Sequence, residues 1–316
     1  MFLKRSAESI TVHSPAKLNL FLELLAKRSD GFHELETIMT AIDVFDTLRF
    51  TATDDAQLTL SCQFAPGAVA AANRDEVDAT LGDLPTGPTN LVYRAVELIR
   101  KEAGIERGAK IELTKRIPAA SGLGGASSDA AAALVAADIV WKLGMSRSKL
   151  AELAAQLGSD IPFFLHTGLL GNGMAHCQGR GEIITPLPSM RRMHFVVIRP
   201  LGGLSTADVF RRCTIPASPL AARDLSASLQ SGSIADIGQR IHNRLSEPSR
   251  ELSPEIDRLT KSMVQAGAIS SQMSGSGSAC FALCHDARHA RNVAAKLKSR
   301  RLGVVFTASN CGVQWN

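Results

Sequence analysis

A glycine-rich run, Ser121-Gly122-Leu123-Gly124-Gly125-Ala126-Ser127-Ser128, follows Pro118-Ala119-Ala120 and precedes a long alanine-rich stretch. Glycines in such a turn admit positive φ and let backbone N–H groups approach phosphate oxygens closely. A helix starting directly after the turn adds partial positive charge at the same point. The hydroxyls of Ser127 and Ser128 can donate to phosphate or reach a metal ion. No Gly-Lys-Ser/Thr ends the run, so it is not a Walker A loop, and its glycine spacing is not that of a dinucleotide fingerprint. Taken alone, it also suits a plain strand-to-helix connection capped by Ser127 or Ser128.

Two ionisable residues stand in suggestive settings. Lys17 lies in Ser14-Pro15-Ala16-Lys17-Leu18-Asn19-Leu20, and Asp160 in Leu157-Gly158-Ser159-Asp160-Ile161-Pro162-Phe163-Phe164. A carboxylate beside an acceptor hydroxyl can take or orient its proton, and a nearby ammonium can stabilise the oxyanion that develops. Phosphoryl transfer asks for little more than such positioning. Each residue has a plainer reading: Asp160 as a helix cap, Lys17 as a solvated strand start. Phe32-His33, after Asp30-Gly31, suits a turn that binds a base, with a ring to stack on it and an imidazole to reach its polar edge. Met273-Ser274-Gly275-Ser276-Gly277-Ser278 is a tight turn by itself, or a second glycine loop closing over phosphates.

The Lys17 motif, the first glycine loop and the second glycine turn, in this order, resemble the GHMP kinase superfamily. With Asp30 to Leu35 and Leu157 to Phe164 added, the set is highly specific and spans about Ser14 to Leu283. It resembles one branch of that superfamily, which acts on a cytidine-diphosphate-linked sugar alcohol in the non-mevalonate route to isoprenoid precursors. The resemblance implies an α+β, two-lobed fold with a ribosomal-protein-S5-like N-terminal lobe and a ferredoxin-like C-terminal lobe. It implies transfer of the γ-phosphoryl group of ATP, with Mg²⁺, to an alcohol. It places the catalytic acid/base on Asp160 and the lysine beside the reacting hydroxyl on Lys17. Asn19 would contact substrate, while Phe32, His33, Thr206 and Phe210 would form the cytidine pocket. Asn90 and Lys115 would lie near the nucleotide, with the loop Pro118 to Ser128 around its phosphates. Gly275, Ser276 and Gly277 would face the substrate diphosphate. No residue is assigned as a metal ligand.

Four features depart from that branch. Phe32 stands where a tyrosine is usual, so stacking survives but a phenolic hydrogen bond does not. Ala126 replaces a common third glycine, which predicts an ordinary φ there. The stretch from Ala65 to Thr89 is long, and His242-Asn243-Arg244-Leu245 varies a familiar pattern and is assigned no role.

These residues need elements to hold them. Early strands are expected at Ile10 to Val12 and Leu18 to Leu25, then at Thr47 to Ala52, Leu58 to Cys62 and Lys110 to Thr114. Residues 65–89 read as an irregular loop. A helix should open at Asn90 and close near Gly104, another should run from about Asp129 to Lys142, and a third should end at Gly158. In the second half, strands are expected at Phe195 to Ile198, Ala279 to Leu283 and Gly303 to Thr307. Helices are expected around Ile234 to Leu245 and Ser253 to Ala266. The texture changes near residue 190, which suggests lobes of residues 1–190 and 191–316.

Bulk properties agree with a globular enzyme. The 316 residues are 45% hydrophobic and 21% charged, with only 5% aromatic, so Ala, Leu, Val and Ile must build the core. A net charge of +5 suits phosphate-bearing ligands. The densest basic stretch, Arg288 to Arg301, carries Ala290, Val293, Ala294 and Leu297 at helical spacing, with no aromatic to stack bases. It reads as a solvated helix face rather than a nucleic-acid surface. The six cysteines form no CxxC pair. With no secretory or membrane-spanning segment in view, the expectation is a cytoplasmic protein with free thiols and no membrane or nucleic-acid partner. Nothing in the sequence signals an oligomeric state. The alternatives are another small-molecule GHMP kinase, a non-catalytic nucleotide-binding module and an RNA-binding protein.

Overall fold

The computed structural model describes residues 2–6, 9–66, 84–170, 173–188 and 191–311. The core of the expected 65–89 loop, residues 67–83, lies outside them. In chain order the described chain contains β1 (Phe2–Arg5), β2 (Ser9–Lys27), β3 (His33–Thr53), β4 (Leu58–Phe64), α1 (Leu91–Ala103) and β5 (Gly108–Lys115). It continues with α2 (Gly125–Trp141), α3 (Arg147–Leu157), α4 (Ile161–Leu170), β6 (Met174–Gly179) and β7 (Ile183–Pro186). The chain then runs through β8 (His194–Arg199), α5 (Thr206–Arg212), α6 (Arg223–Ser231), α7 (Ile234–Arg240), β9 (His242–Asn243) and α8 (Ser246–Leu252). It ends with α9 (Glu255–Gln265), β10 (Ser270–Met273), β11 (Cys280–Cys284), α10 (Ala287–Lys298) and β12 (Val304–Ser309).

Where two early strands were expected, β2 is one long strand. Pro15 has no N–H for the ladder, but it sits at a bulge, with register shifts at Pro15/Ala16, Asn19/Phe21 and Leu24/Ala26. Pairing with β3 therefore continues past it. The length of β2 lets it serve three cores. Ile10 and Val12 pack with α2, Ala16, Leu18 and Leu20 with the inner face of the second sheet, and Leu22 and Leu24 with α9 and α10.

The first sheet runs β1-β2-β3-β5-β4, with β6 on the other half of β3, and the second runs β10-β11-β8-β12. Strand periodicity divides the second sheet between two neighbours. Phe195, Val197, Phe281 and Leu283 face β2, whereas Val196, Ile198, Cys280, Ala282 and Cys284 face α9 and α10. The basic helix α10 buries Ala290, Val293, Ala294 and Leu297, as its spacing predicts.

Other boundaries differ from expectation as well, and β3 begins at His33 rather than Thr47. Helix α2 starts at Gly125, four residues early, so Ala126, Ser127 and Ser128 belong to its first turn. Its Ala130-Ala131-Ala132-Ala133 run is buried on all sides, since methyl groups let it pack closely between the sheet and its neighbouring helices. The helix expected over Ile234 to Leu245 ends at Arg240. There the chain turns extended at Ile241, and His242 and Asn243 pair in parallel with Phe21 and Leu22 of β2.

Candidate active site

A cleft of about 900 Å³ lies where the end of β2, the first turn of α2, the start of α4 and the Met273 to Ser278 turn converge. Its floor is set by strand pairing. Lys17 and Asn19 lie on β2 opposite Ala41 and Met39, two residues apart and therefore on the same face. The Lys17 ammonium donates to Asn19 Oδ1 at 2.5 Å and lies 3.3 Å from Asp160 Oδ2. Asn19 Nδ2 donates to Thr37 Oγ1 at 2.9 Å, and Thr37 in turn donates to the Phe21 carbonyl. Both polar ends of Asn19 are thus fixed. Lys17 is 3% exposed and Asp160, just ahead of α4, is 35% exposed, so the carboxylate is the member open to the cleft.

Three segments distant in sequence are stitched around this pair. The Lys17 N–H donates to the Leu123 carbonyl at 2.8 Å. Ser274 Oγ accepts from the Asn19 N–H at 3.3 Å and donates to the Gly122 carbonyl at 3.0 Å, and the Ala279 N–H donates to the Ser121 carbonyl at 3.0 Å. Of the predicted phosphate loop, Pro118, Ala119, Ala120, Ser121, Gly122, Gly124, Gly125, Ala126 and Ser127 line the cleft. Gly124 has φ +72°, and a Cβ on it would stand 2.9 Å from Lys17 Cγ and 3.0 Å from Phe164 Cζ. Ala126 lies in α2 without a positive φ, as expected. Leu123 and Ser128 face away from the cleft and are fully buried, and the Ser128 hydroxyl has no hydrogen-bond partner among the described residues.

The predicted base-binding residues gather at the other end. The rings of His33 and Phe210 are 5.5 Å apart and tilted by 37°. Phe32 is 50% exposed, with the Arg180 guanidinium 4.8 Å above its ring. Thr206 opens α5, and its hydroxyl shares a 2.8 Å hydrogen bond with Ser276, which lines the cleft between Gly275 and Gly277. Partial burial, then the charge of Lys27, lowers the His33 pKa, which keeps the ring neutral at physiological pH.

Asn90 and Lys115 do not line the cleft. Asn90 caps α1, its side chain accepting from the Val92 N–H at 2.8 Å and donating to the Pro85 carbonyl at 2.6 Å. Lys115 is buried behind the loop, where a Cβ on Gly125 would stand 3.2 Å from its ammonium. It is paired with Asp46 and, at 2.6 Å, with Asp129. Asp129 also accepts from Ser14 Oγ at 2.7 Å, and Asp46 accepts from the N–H groups of Arg116 and Ile117. Burial works against the charge on Lys115, but the two carboxylates outweigh it and raise its pKa. Burial, helped by repulsion from the Asp46 carboxylate, pushes the Asp129 carboxyl up to about 7 against the pull of the Lys115 ammonium. The lysine therefore braces the underside of the phosphate loop.

Sequence reasoning passed over Arg180, Thr37 and Ser274. Ser274 lay inside a motif already singled out. Arg180 and Thr37 carried no local signal, since only the pairing of β3 with β2 and β6 brings them to the cleft.

Residues 90–168 match the model for the GHMP kinases N terminal domain, and residues 225–302 that for GHMP kinases C terminal. The chain is similar to the 4-diphosphocytidyl-2-C-methyl-D-erythritol kinase of Pelotomaculum thermopropionicum, at 40% identity over 92% of this chain and 94% of that one. It is equally similar to the one of Rhodopirellula baltica, 40% identical over 90% of each chain. A crystal structure of a 4-(cytidine 5'-diphospho)-2C-methyl-D-erythritol kinase superposes with a TM-score of 0.74 at 31% identity, covering 96% of this chain and 99% of that one. Homoserine kinase from Cytophaga hutchinsonii shares the fold, with a TM-score of 0.71 at 20% identity, over 99% of this chain and 98% of that one.

Proposed function

The chain belongs to the 4-diphosphocytidyl-2-C-methyl-D-erythritol kinases, a branch of the GHMP kinases, and from that premise we propose how its own residues carry the reaction. It is an ATP-dependent kinase for the 2-hydroxyl of 4-diphosphocytidyl-2-C-methyl-D-erythritol, on the non-mevalonate route to isoprenoid precursors. The observation that carries the residue assignment is the meeting of Lys17, Asn19 and Asp160 at one point of the cleft, between the two glycine segments.

Asp160 takes or orients the acceptor proton, and Lys17 stabilises negative charge on the attacking oxygen. Asn19, held by Thr37, orients the sugar alcohol. Pro118 to Ser127 and the N-terminus of α2 cradle the ATP phosphates, which the open glycine backbone and the helix dipole support. His33 and Phe210 hold the cytosine, with Phe32 and Thr206 closing that end, while Gly275 to Gly277 face the substrate diphosphate. Asn90 and Lys115 act from outside the cleft, by capping α1 and bracing the loop. The lobes divide near residue 190, between the end of β7 at Pro186 and the start of β8 at His194.

Magnesium enters with the nucleotide. Among the described residues no three His, Cys, Asp or Glu side chains cluster to hold a metal. A magnesium ion on ATP would take most of its ligands from phosphate and water. The hydroxyl of Ser127 and the carboxylate of Asp160 are the oxygen donors that line the cleft and would hold it. When bound, the ion neutralises charge on the β- and γ-phosphates. No described helix is long and apolar enough to cross a membrane, and we place the enzyme in the cytoplasm with its small-molecule substrates.

A coupled ADP-release assay tests the substrate reading, with 4-diphosphocytidyl-2-C-methyl-D-erythritol, mevalonate and homoserine side by side. Fast turnover of the first alone is expected; preference for either of the others would assign the chain to a different GHMP kinase activity.

A further inference from the structure

The His242-Asn243-Arg244-Leu245 segment bridges the two lobes at the reacting centre. Its strand β9 pairs with β2 a few residues beyond Lys17 and Asn19. Asn243 is buried, and its Nδ2 donates twice, to the carbonyls of Met273 at 2.8 Å and Gly275 at 2.7 Å. Its Oδ1 accepts from the Leu245 N–H at 3.0 Å, so the amide orientation is fixed. Gly275 is held directly over the catalytic floor. A Cβ placed on it would stand 3.2 Å from Asn19 Oδ1 and 3.3 Å from Lys17 Nζ.

The next residue fastens this segment to β2. Arg244 donates to both oxygens of Glu23, Nε to Oε1 at 2.6 Å and Nη2 to Oε2 at 2.7 Å. Glu23 is fully buried and also accepts from the Leu24 and Leu220 N–H groups at 3.0 and 3.2 Å. A buried carboxylate so fully satisfied is a fixed point, and a bidentate guanidinium allows little rotation about it.

We propose that Asn243 is a positioning residue for phosphoryl transfer, setting the height of the Met273 to Ser278 turn over Lys17 and Asn19, with the Glu23–Arg244 pair as its anchor. This rests on the kinase reading above. The turn has no ladder partner of its own between Met273 and Cys280. Besides the two Asn243 donations it is held by the side chains of Ser274, of Ser276, which bonds Thr206, and of Ser278, whose hydroxyl donates to the Gly202 carbonyl at 2.7 Å. Among the described residues only Asn243 fastens the backbone on both sides of Ser274. Placement errors of about 1 Å at a reacting centre cost on the order of 10²-fold in rate.

The test uses the full chain and the acceptor that the wild-type protein turns over fastest. Asn243→Asp keeps the volume and the acceptor for Leu245, but turns both donations into oxygen–oxygen repulsion. Its kcat is expected to fall about 10²-fold, while affinity for a non-hydrolysable ATP analogue stays within about twofold. Arg244→Lys keeps the charge but not the paired bonds, and should lower kcat about tenfold with the same unchanged analogue affinity. Wild-type kcat in a folded Asn243→Asp protein would overturn the proposal. So would losses of analogue binding and melting temperature that match the loss of rate, because the segment would then be a structural joint only. If Asn243→Asp does not fold, Arg244→Lys decides, and an unchanged kcat there overturns the proposal. Wild-type acceptor preference is measured independently of these ratios, so a wrong substrate and a wrong role for Asn243 give different results.

Discussion

Gly124 leaves the space that the aliphatic stem of Lys17 occupies: a Cβ on the glycine would stand 2.9 Å from Lys17 Cγ and 3.1 Å from its Cε. The glycine at the helix end of the loop therefore also makes room for Lys17. Under the proposed assignment this links the two substrates, since the loop proposed for the ATP phosphates also fixes the cation proposed to meet the acceptor oxygen. The Lys17 N–H donation to the Leu123 carbonyl reinforces the same junction.

Gly124→Ala should disturb both partners. The position has φ +72°, where a side chain is strained, and a Cβ would stand 2.9 Å from Lys17 Cγ. Stability should fall by about 1 kcal/mol or more. The larger effect is expected on kcat, which should drop on the order of 10²-fold as Lys17 is pushed aside. Steady-state kinetics and thermal melting of the variant check this; a wild-type kcat would separate the loop from Lys17.

Phe210→Ala should act on one substrate only. Its ring faces His33 at 5.5 Å, at the end of the cleft away from the phosphate loop. Stacking a base on an aromatic ring contributes ~1–3 kcal/mol, so affinity for the cytidine substrate should fall roughly 5- to 150-fold. ATP affinity should hold. Calorimetric titration with CDP and with an ATP analogue distinguishes the two pockets, and loss of the analogue instead would move Phe210 to the nucleotide side.

The buried charges beneath the loop predict a pH effect with a definite sign. The Asp129 carboxyl is pushed by burial up to about 7, from an ordinary value of 3.8. Between those values the folded chain keeps a proton that the unfolded chain releases. The resulting stabilisation is complete below the unfolded value and is lost as pH rises towards 7. Asp129→Asn cannot titrate, so it lacks this slope. The melting temperature of the variant relative to wild type should rise as pH goes from about 4 to about 8. A difference independent of pH would show that Asp129 is ionised throughout.

Much of this site is legible in local patterns, and the exceptions have a common cause. Asn90 and Gly104 bound α1 because capping is a matter of one or two residues, and Gly158 ends α3 for the same reason. The apolar stripe of α10 is likewise a local period. The continuity of β2 through Pro15 depends on the partner strand, where a bulge against Phe45 absorbs the missing donor. Asp46 gave no signal at all, since its partners on Lys115, Arg116 and Ile117 are brought to it by the β3–β5 pairing. Glu23 and Arg244 meet only after both lobes have packed. Chemistry-bearing residues inside a recurring motif are readable; those that hold the motif from behind are set by tertiary pairing.

Asp160→Asn is the sharpest test of the mechanism. The substitution keeps the shape and hydrogen-bonding reach of the side chain, and its place 3.3 Å from the Lys17 ammonium. It removes the ability to take a proton. General acid–base help contributes typically about 10²- to 10⁴-fold, so kcat should fall by that order while both substrates bind with near-normal affinity. The same residue directly precedes α4, where an acid can serve as a helix cap. Asn and Asp rank alike as caps, so a residue with only that role would lose almost nothing on substitution. The two roles thus give opposite results from one protein. Single-turnover measurement of phosphoryl transfer keeps product release out of the rate. A near-wild-type single-turnover rate for Asp160→Asn would remove it as the base and leave Lys17 and Asn19 as the only groups acting on the acceptor oxygen.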